Sequence, residues 1–355
     1  MTTPRDGGYA HAADLELTVR TEDGIDLHVE VDEGSAAATA RRSRKAPPRP
    51  TVVFSHGYTL TLRSWVLQRR ALAQAGYRVV LWDQRSHGRS AVAPPADCTI
   101  ERIGADLESV IDAVAPAGPL VLVGHSMGGM TMMSLAGRNP DLIRGRVLAA
   151  AFVATSAGGG GMTSLGFGPL LGRAIGWAGP GLLTRLGRHQ IWLNRLRRVG
   201  RDVEDAVVSR YSFDSEVSPE LVRFVGDMIL ATPLEVMAAF MPHIDRLDQT
   251  AHLDAFQGIE TLVMNGEGDM LTPPSHSEAI VRHIPGAEHV VVERAGHLIM
   301  LEHPELVTQQ LLMLVDRAER AHAEGIAMTR KPRVRRMITE LAPRRRGSSR
   351  SPSVS

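Results

Sequence analysis

Three residues of this chain could together carry out nucleophilic chemistry on an acyl group. Ser126 stands in the middle of Gly-His-Ser-Met-Gly at 124–128, and it is followed much later by Asp269 and His297. A serine hydroxyl is a weak nucleophile that needs a base, and the base needs an acid to orient it. The chain order serine, aspartate, histidine fits this requirement. We therefore predict a catalytic triad of Ser126, Asp269 and His297.

The residues alone leave alternatives for the acid and the base. Glu267 lies two positions before Asp269 in the same loop and is the second candidate for the acid. For the base we favour His297, because it directly follows the end of an apolar strand. The other nearby histidines fall in helix, strand or helix-start contexts, and they are His283, His289 and His303.

Ser126 lies between a predicted strand and a predicted helix, in a stretch typical of a sharp turn. Residues 120–123 form an apolar run of the length of a buried strand, and residues 130–137 have helical character. Gly124 and Gly128 allow a tight turn between the two, because glycine has no Cβ to clash. Ser126 would then stand exposed on a strained corner, with the free N–H groups of the helix beside it.

The free N–H groups at the start of this helix could bind the negative charge that forms beside the serine, so we predict an oxyanion hole. We expect one donor to be the backbone N–H of Met127, and the other to be that of Tyr58, in the loop after an apolar strand at 51–54. We also expect Gly57, Tyr58 and His125 to contact the substrate. The ring of Tyr58 has two interpretations, a wall of the pocket or an ordinary packed aromatic side chain.

Strands and helices alternate along most of the chain. Alternating stretches at 15–20 and 25–30 predict a hairpin at an antiparallel edge. The later alternation is typical of a mostly parallel α/β sheet with right-handed crossovers. The predicted strands lie at 51–54, 78–82, 120–123, 147–153, 259–264 and 289–292, and the predicted helices lie at 62–75, 99–114, 130–137, 274–283 and 304–324.

The alternation stops for about a hundred residues in the middle of the chain. Residues 157–256 show no convincing strand and are rich in Met, Leu, Arg and Gly, so we predict a helical cap inserted into one loop of a core formed by 15–156 and 257–324. The glycine run at 158–161 is either the hinge of this cap or a simple flexible turn. Methionines and aromatics within the cap suit an apolar acyl pocket, although ordinary helix packing produces the same spacing.

The two ends of the chain differ from the core. We expect residues 1–14 to be flexible. Residues 325–355 carry nine Lys and Arg against one Glu and are rich in Ser and Pro, so we predict a disordered basic tail. At most, weak contact of this tail with an anionic membrane surface is expected. Neither the tail nor the short basic run at 41–50 predicts nucleic-acid binding.

The composition of the chain indicates which cellular compartment and which kinds of stabilisation we expect. The chain has 355 residues, 43% of them hydrophobic, with a net charge of +1 and a single cysteine, Cys98. One cysteine excludes an internal disulfide framework, and the first 14 residues lack the apolar segment of a secretory signal, so we expect a cytoplasmic protein. No uninterrupted apolar run is long enough for a membrane span. The pattern does not indicate the oligomeric state.

The sequence favours neither a bound metal nor an organic cofactor. Gly266 and Gly268 begin a glycine pattern, but Leu271 stands where a dinucleotide fingerprint needs its third glycine. No His-Glu-x-x-His pair and no phosphate-binding Gly-Lys-Ser or Gly-Lys-Thr occurs. We therefore expect the chemistry to depend on side chains alone.

Taken together, the motifs resemble those of the α/β-hydrolase fold superfamily, within the branch that carries a helical cap and includes esterases, lipases and cofactor-free haloperoxidases. The resemblance covers residues 15–324 and rests on His56-Gly57, 83–90, 124–129, 266–273 and Gly296-His297. One departure is Ser86, which stands where the family often has glycine; we take the loop around it to be structural.

The resemblance implies a mostly parallel eight-stranded sheet flanked by helices, with the acid at Asp269. It implies a serine hydrolase that cleaves a small-molecule carboxylic ester, with a hydrophobic acyl or alcohol part, through an acyl-enzyme. Members with an Asp or Cys nucleophile are excluded by Ser126. Two alternatives stay open: a haloperoxidase-like or perhydrolase use of the same triad, and a catalytically silent receptor for a small ligand.

Overall fold

A single sheet runs through the centre of the protein. The computed structural model describes residues 7–40, 47–158 and 201–325 and the backbone of 335–338; for residues 7, 39–40 and 201–206 the backbone alone is described. The strands are β1 (Leu15–Arg20), β2 (Asp26–Asp32), β3 (Thr51–Ser55), β4 (Val79–Trp82), β5 (Leu120–His125), β6 (Val147–Val153), β7 (Glu260–Gly266), β8 (Glu288–Val292) and β9 (Arg335–Ile338).

The strand order is β1-β2-β4-β3-β5-β6-β7-β8-β9. The pairs β1–β2 and β2–β4 are antiparallel, and every other pair is parallel. The predicted α/β class, the hairpin at the antiparallel edge and the mostly parallel sheet are therefore confirmed. Because β3 and β5 to β8 run in the same direction, their carboxyl ends and the loops that follow lie at one edge.

Helices cover both faces of the sheet. They are α1 (Ala36–Ala40), α2 (Val66–Gln74), α3 (Ile100–Val114), α4 (Met127–Arg138), α5 (Pro140–Arg146), α6 (Arg201–Ser212), α7 (Pro219–Ala231), α8 (Leu234–Asp245), α9 (Pro274–His283), α10 (Ile299–Glu302) and α11 (Pro304–Ala323). Short 3-10 helices are formed by Gly7–Tyr9, Leu62–Trp65, Pro95–Asp97 and Thr250–Phe256.

Local sequence explains why a helix such as α3 forms where it does. Thr99 caps it by accepting a hydrogen bond from the N–H of Arg102 at 3.2 Å. Its apolar residues recur every three or four positions, so they share one face and are buried against the sheet. Two large apolar clusters result, one on each face of the sheet.

The sheet has one strand more than the eight expected. The additional strand, β9, lies in the segment predicted as a disordered tail and pairs in parallel with residues 289–292 of β8. Composition did not indicate it, because strand pairing uses backbone N–H and C=O groups, which every non-proline residue offers at an open sheet edge. The remainder of 326–355 lies outside the described residues.

Residues 7–14 differ from the flexible chain that we predicted for residues 1–14, and residues 1–6 lie outside the described residues. The ring of Tyr9 stacks on that of Phe224 in α7 with centroids 4.5 Å apart. Arg70 donates a hydrogen bond to the carbonyl of Gly8 at 2.5 Å. Arg70 also donates to the carbonyl of Ala10, so one aromatic side chain and two carbonyl groups fix a short segment that has no periodic pattern.

The described part of the predicted cap is helical. Helices α6, α7 and α8 and the 3-10 helix Thr250–Phe256 occupy it, and the only β contact in its described residues is an isolated bridge between Gly158 and Asp248. Residues 159–200, with most of the predicted glycine hinge, lie outside the described residues. Among the described helices, no single one is both long enough and apolar enough to cross a membrane. Helices α7 and α8 have the required length and apolar character only when they are taken together, and the pair is bent by 91°.

A buried ion-pair cluster ties the antiparallel edge to helix α2. Arg69 donates to both carboxylate oxygens of Asp32, at 2.6 and 2.8 Å, and to the carboxylate of Glu30. Burial raises the pKa of Glu30, but hydrogen bonds from His28 and Arg69 outweigh this and hold it at about 2. The cluster is therefore charged at neutral pH and fully paired.

We expect Arg69→Met to lower the free energy of unfolding by about 3 kcal/mol at pH 7, because two buried carboxylates lose their partner. The depressed carboxylate pKa stabilises the fold above the unfolded value of 4.5 and ceases to do so as pH falls toward 2, so the deficit should shrink in acid. Urea denaturation at several pH values measures both effects.

Arg20→Met is the matched control. Arg20 pairs with Asp26 at 2.9 Å, but the two side chains are 68% and 50% exposed, so the loss should stay below about 1 kcal/mol. Equal losses for the two variants would contradict the importance of burial.

Candidate active site

Ser126 occupies a strained corner between β5 and α4. Its φ of 50° and ψ of −117° lie outside the regions that side chains other than glycine favour. The corner is held by hydrogen bonds from the Ser126 N–H to the carbonyl of Val153 (3.0 Å) and from the Thr155 hydroxyl to the carbonyl of Ser126 (2.6 Å). The Ser126 side chain makes no capping bond to α4. Its hydroxyl is therefore not engaged by the helix that it precedes.

The glycines beside the serine are needed because the backbone packs closely there. A Cβ on Gly128 would lie 2.2 Å from the carbonyl oxygen of Ser55, and a Cβ on Gly124 would lie 2.5 Å from the carbonyl carbon of Gly128. Both distances are far inside van der Waals contact. The turn can approach the end of β3 only without these side chains.

Asp269 and His297 form a hydrogen-bonded pair in the loops after β7 and β8. His297 Nδ1 lies 2.9 Å from Asp269 Oδ2 and 3.1 Å from Oδ1. Because a carboxylate only accepts, Nδ1 carries the proton, and Nε2 is left as the acceptor a general base needs. The hydroxyl of Thr272 and the N–H groups of Leu271 and Thr272 also donate to Asp269, at 2.8 to 2.9 Å.

These donors keep Asp269 ionised. Burial raises its pKa, but the neighbouring His297 and the hydrogen bonds from His297 and Thr272 together place the pKa below its ordinary value. The aspartate side chain is fully buried, whereas Glu267 is exposed. Among the two candidate acids, only Asp269 therefore faces the base.

His125 directly precedes Ser126 in the chain and contacts His297, the candidate base. It is 1% exposed, its ring lies 4.8 Å from that of His297, and its Nε2 donates to the carbonyl of His297 at 3.0 Å. Burial and the neighbouring His297 place the pKa of His125 well below its ordinary value, so the ring is neutral. We predicted a substrate contact; the structure instead gives this ring a contact with the backbone of the base.

Gly57 lies where the serine corner and the loop after β3 meet. A Cβ at this position would lie 2.6 Å from His125 Nδ1 and 3.2 Å from the Cβ of Ser126. Within the described residues, neither the N–H of Tyr58 nor that of Met127 donates to a protein acceptor. Both N–H groups are thus available to an oxyanion, as an oxyanion hole requires.

A family model for the alpha/beta hydrolase fold matches residues 50–304 of the sequence. The chain belongs to this family. It is 28% identical over 225 residues to a pimeloyl-(acyl-carrier protein) methyl ester esterase of Neisseria meningitidis serogroup C, covering 63% of this chain and 77% of the relative. It is 26% identical over 257 residues to the sn-1-specific diacylglycerol lipase ABHD11 of Mus musculus, covering 72% and 78%.

Solved structures support the same assignment. A thermophilic esterase from Thermogutta terrifontis superposes with a TM-score of 0.62 and 27% identity, covering 86% of this chain and 99% of that structure. An enol-lactonase from Burkholderia xenovorans, at 23% identity and a TM-score of 0.63, shares the fold. The family match and the curated relatives support the conclusion that the chain is a hydrolase.

The remaining histidines near the base have other roles in this alpha/beta hydrolase. His289 contacts the side-chain oxygen of Asn265 at 2.8 Å, His283 is exposed on α9, and His303 contacts the carbonyl of Arg294 at 3.1 Å. None of these contacts involves the acid. Among the described residues, no group of three or more His, Cys, Asp or Glu side chains is placed to hold a metal ion.

Two neutral histidines hold the loop after β3, which carries the N–H of Tyr58. His56 Nε2 accepts the N–H of Gln84 at 2.9 Å while its Nδ1 donates to the carbonyl of Gly57 at 2.7 Å. His87 Nε2 accepts the N–H of Thr59 at 3.2 Å, and its Nδ1 donates to a carbonyl of its own loop. Each ring can accept at Nε2 only while it is neutral.

The sequence reasoning missed this role of the loop at 83–90. Its residue Ser86 has a φ of 66°, a left-handed conformation that explains why glycine is common there, and its hydroxyl accepts the N–H of Ala93 at 2.9 Å. Gln84 joins the carbonyl of His56 to the hydroxyl of Thr131 in α4. The available signal was a histidine in the loop after each of the two strands, His56 directly after β3 and His87 within the loop that follows β4.

The ring of Tyr58 belongs to the interface with the cap. Its hydroxyl donates to the carbonyl of Met237 in α8 at 2.7 Å, and its ring lies edge-on to Phe240 with centroids 6.5 Å apart. Of the two interpretations of this side chain, the structure favours the packed aromatic. The backbone N–H remains the group available for catalysis.

We expect Gly128→Ala to lower the free energy of unfolding by more than 2 kcal/mol, because its Cβ would overlap the backbone of Ser55. Gly145→Ala in α5 is the control, since nothing lies within 4 Å of a Cβ there; it should be neutral or stabilising by about 0.5–1 kcal/mol. Chemical denaturation measures both. Similar effects of the two changes would argue against the close packing of the serine corner.

The acid stability of the protein should depend on His87. Burial lowers its pKa to about 4, from 6.5, so the unfolded chain binds the proton more readily and stability falls as pH drops from 6.5 to 4. In His87→Gln, the slope of unfolding free energy against pH should decrease by up to about 1.4 kcal/mol per pH unit in this window. Denaturation at pH 6.5, 5.5 and 4.5 measures the slope; a slope like that of the wild type would show that the ring is not neutral in the fold.

Proposed function

We propose that this protein is a serine esterase that cleaves carboxylic esters with a hydrophobic acyl or alcohol part. The observation that carries the proposal is the hydrogen-bonded pair of Asp269 and His297 at the sheet edge where the strained Ser126 corner also lies. The esterase and lipase relatives of the chain support the same class of substrate.

The reaction would proceed through an acyl-enzyme. Ser126 Oγ attacks the ester carbonyl while His297 Nε2 takes its proton, and Asp269 stabilises the resulting imidazolium. The N–H groups of Met127 and Tyr58 stabilise the tetrahedral anion, each contributing about 3 kcal/mol. His297 then protonates the leaving alcohol, and a water molecule, activated by the same imidazole, releases the acid and restores the serine.

Apolar side chains beside the serine support a hydrophobic substrate. Met127 and Met130 of the first turn of α4 are buried in one cluster with Val236 and Phe240 of the cap helix α8. Thioether and aromatic side chains adapt to acyl chains of different shape. The cluster lies between the nucleophile helix and the cap, where the substrate of a capped hydrolase would enter.

Exposure to a fluorophosphonate should add one phosphonyl group to the protein, and Ser126→Ala should abolish the adduct together with p-nitrophenyl ester hydrolysis. Intact mass and absorbance assays measure these outcomes. The matched control is Ser156→Ala, because Ser156 is a second buried serine beside a histidine, with its Oγ 2.7 Å from His276 Nδ1. This variant should keep the adduct and the hydrolysis.

Absence of both adduct and hydrolysis in the wild type would overturn the proposal and favour the receptor alternative. A series of p-nitrophenyl esters with acyl chains of two to twelve carbons tests the hydrophobic preference. Highest kcat/KM for the acetyl ester would contradict an apolar acyl pocket.

Asp269→Asn should reduce kcat by about 10⁴-fold while changing KM much less, because the amide favours the wrong tautomer of His297. Thr272 should continue to support the side chain at this position, so the melting temperature should change little. Stopped-flow and steady-state hydrolysis measure kcat. A decrease of less than tenfold would indicate that Asp269 is not the acid.

A further inference from the structure

The backbone on both sides of the base is held by three separate groups. The N–H of Gly296 donates to a carboxylate oxygen of Glu302 at 2.6 Å, the carbonyl of His297 accepts from His125, and the N–H of Leu298 donates to the carbonyl of Ser212 at 2.9 Å. Ser212 is the last residue of the cap helix α6. The base therefore sits in a segment that the cap itself contacts.

Glu302 joins this segment to the cap. Its Oε1 accepts the N–H of Asp214 at 2.8 Å, the N–H of Ser215 at 2.6 Å and the hydroxyl of Ser215 at 2.7 Å, while its Oε2 accepts the N–H of Gly296. One carboxylate thus binds four donors from two different parts of the chain. In the described residues, no Lys, Arg or His side chain forms an ion pair with Glu302, so these four hydrogen bonds are its polar contacts.

The turn of the cap at 212–215 lies directly on both catalytic loops. A Cβ on Gly296 would lie 2.8 Å from the Cα of Phe213, and a Cβ on Gly268, next to the acid, would lie 2.4 Å from the Asp214 carboxyl carbon. Glycine at both positions allows this approach. Any displacement of the turn would consequently act on the loops of Asp269 and His297.

We propose that Glu302 is a positioning residue that couples the location of the cap to the alignment of His297. The inference rests on the proposed esterase function, because it assigns Glu302 a role in that reaction. With the cap turn in place, the carboxylate fixes the Gly296 N–H and hence the base. When the turn moves away, Oε1 loses three donors and the carboxylate is no longer held beside the His297 segment.

Charge-assisted hydrogen bonds of this kind are stronger than neutral ones. In Glu302→Gln, one carboxylate oxygen becomes an NH₂ group that faces N–H donors, so at least one side of the link is lost. A displacement of a catalytic group by about 1 Å costs about 100-fold in rate. We therefore expect kcat per active site to fall ten- to 100-fold, with KM changed less than threefold.

The experiment compares wild type, Glu302→Gln and Glu305→Gln. Glu305 is an exposed carboxylate three positions later, so its variant removes the same charge without touching the link. Fluorophosphonate titration counts the active sites, p-nitrophenyl ester hydrolysis gives kcat and KM, and amide hydrogen exchange follows the peptides that contain 212–215 and 295–298. Glu302→Gln should exchange faster in both peptides, and Glu305→Gln should match the wild type.

Two outcomes would overturn the inference. A wild-type kcat per titrated site in Glu302→Gln, even with a lower melting temperature, would leave only a structural role. Faster exchange confined to 295–298 would show that the cap is not coupled to the His297 segment.

If Glu302→Gln does not fold, Ser215→Ala replaces it, because this change removes one donor to Glu302. The Ser215→Ala variant must then accelerate exchange at 212–215 and lower kcat at least twofold. If the wild type shows no adduct and no hydrolysis, the esterase proposal fails, while the exchange data still test the link.

Discussion

The active site depends on a backbone that bends through an unfavourable conformation at Ser126. The strain, of about 1–3 kcal/mol, persists only because the surrounding structure fixes the corner from several sides. Val153 at the end of β6 accepts its N–H, Thr155 binds its carbonyl, and the backbone of Ser55 presses against Gly128. The register of three neighbouring parallel strands, β3, β5 and β6, therefore determines where Ser126, the proposed nucleophile, lies.

The loops after β3 and β4 depend on two buried histidines, His56 and His87, that are kept neutral. Burial and the nearby His87 together lower the pKa of His56 to about 3, and burial lowers the pKa of His87 to about 4, so both rings remain neutral acceptors at physiological pH. A charged imidazole would lose its acceptor nitrogen and release the loop that carries the Tyr58 N–H. Neutral histidines thus fix the loop that carries the Tyr58 N–H, whereas His297, the proposed base, lies beside an ionised aspartate.

The sequence signal is strongest where it is local. The strand-turn-helix around Ser126, the loop with Asp269 and the strand end before His297 each lie in a few consecutive residues. The fold class predicted from such patterns is confirmed, and the catalytic triad stays a prediction. The contacts of His125 and Glu302 could not be predicted, because they join distant parts of the sequence. His125 and His297 are 172 positions apart, and Asp214 and Glu302 are 88 positions apart. Strand β9 was missed because backbone pairing leaves no mark in composition.

Long-range contacts also join the cap to the two loops that carry the candidate catalytic groups. It is joined to the oxyanion loop through the Tyr58 hydroxyl and Met237, and to the base loop through Glu302 and the turn at 214–215. A movement of the described cap helices as one body would break both links and so displace both the Tyr58 N–H and the His297 segment. In the proposed reaction, a substrate that stabilises the cap in its present position would therefore also stabilise the alignment of the proposed base and oxyanion donor.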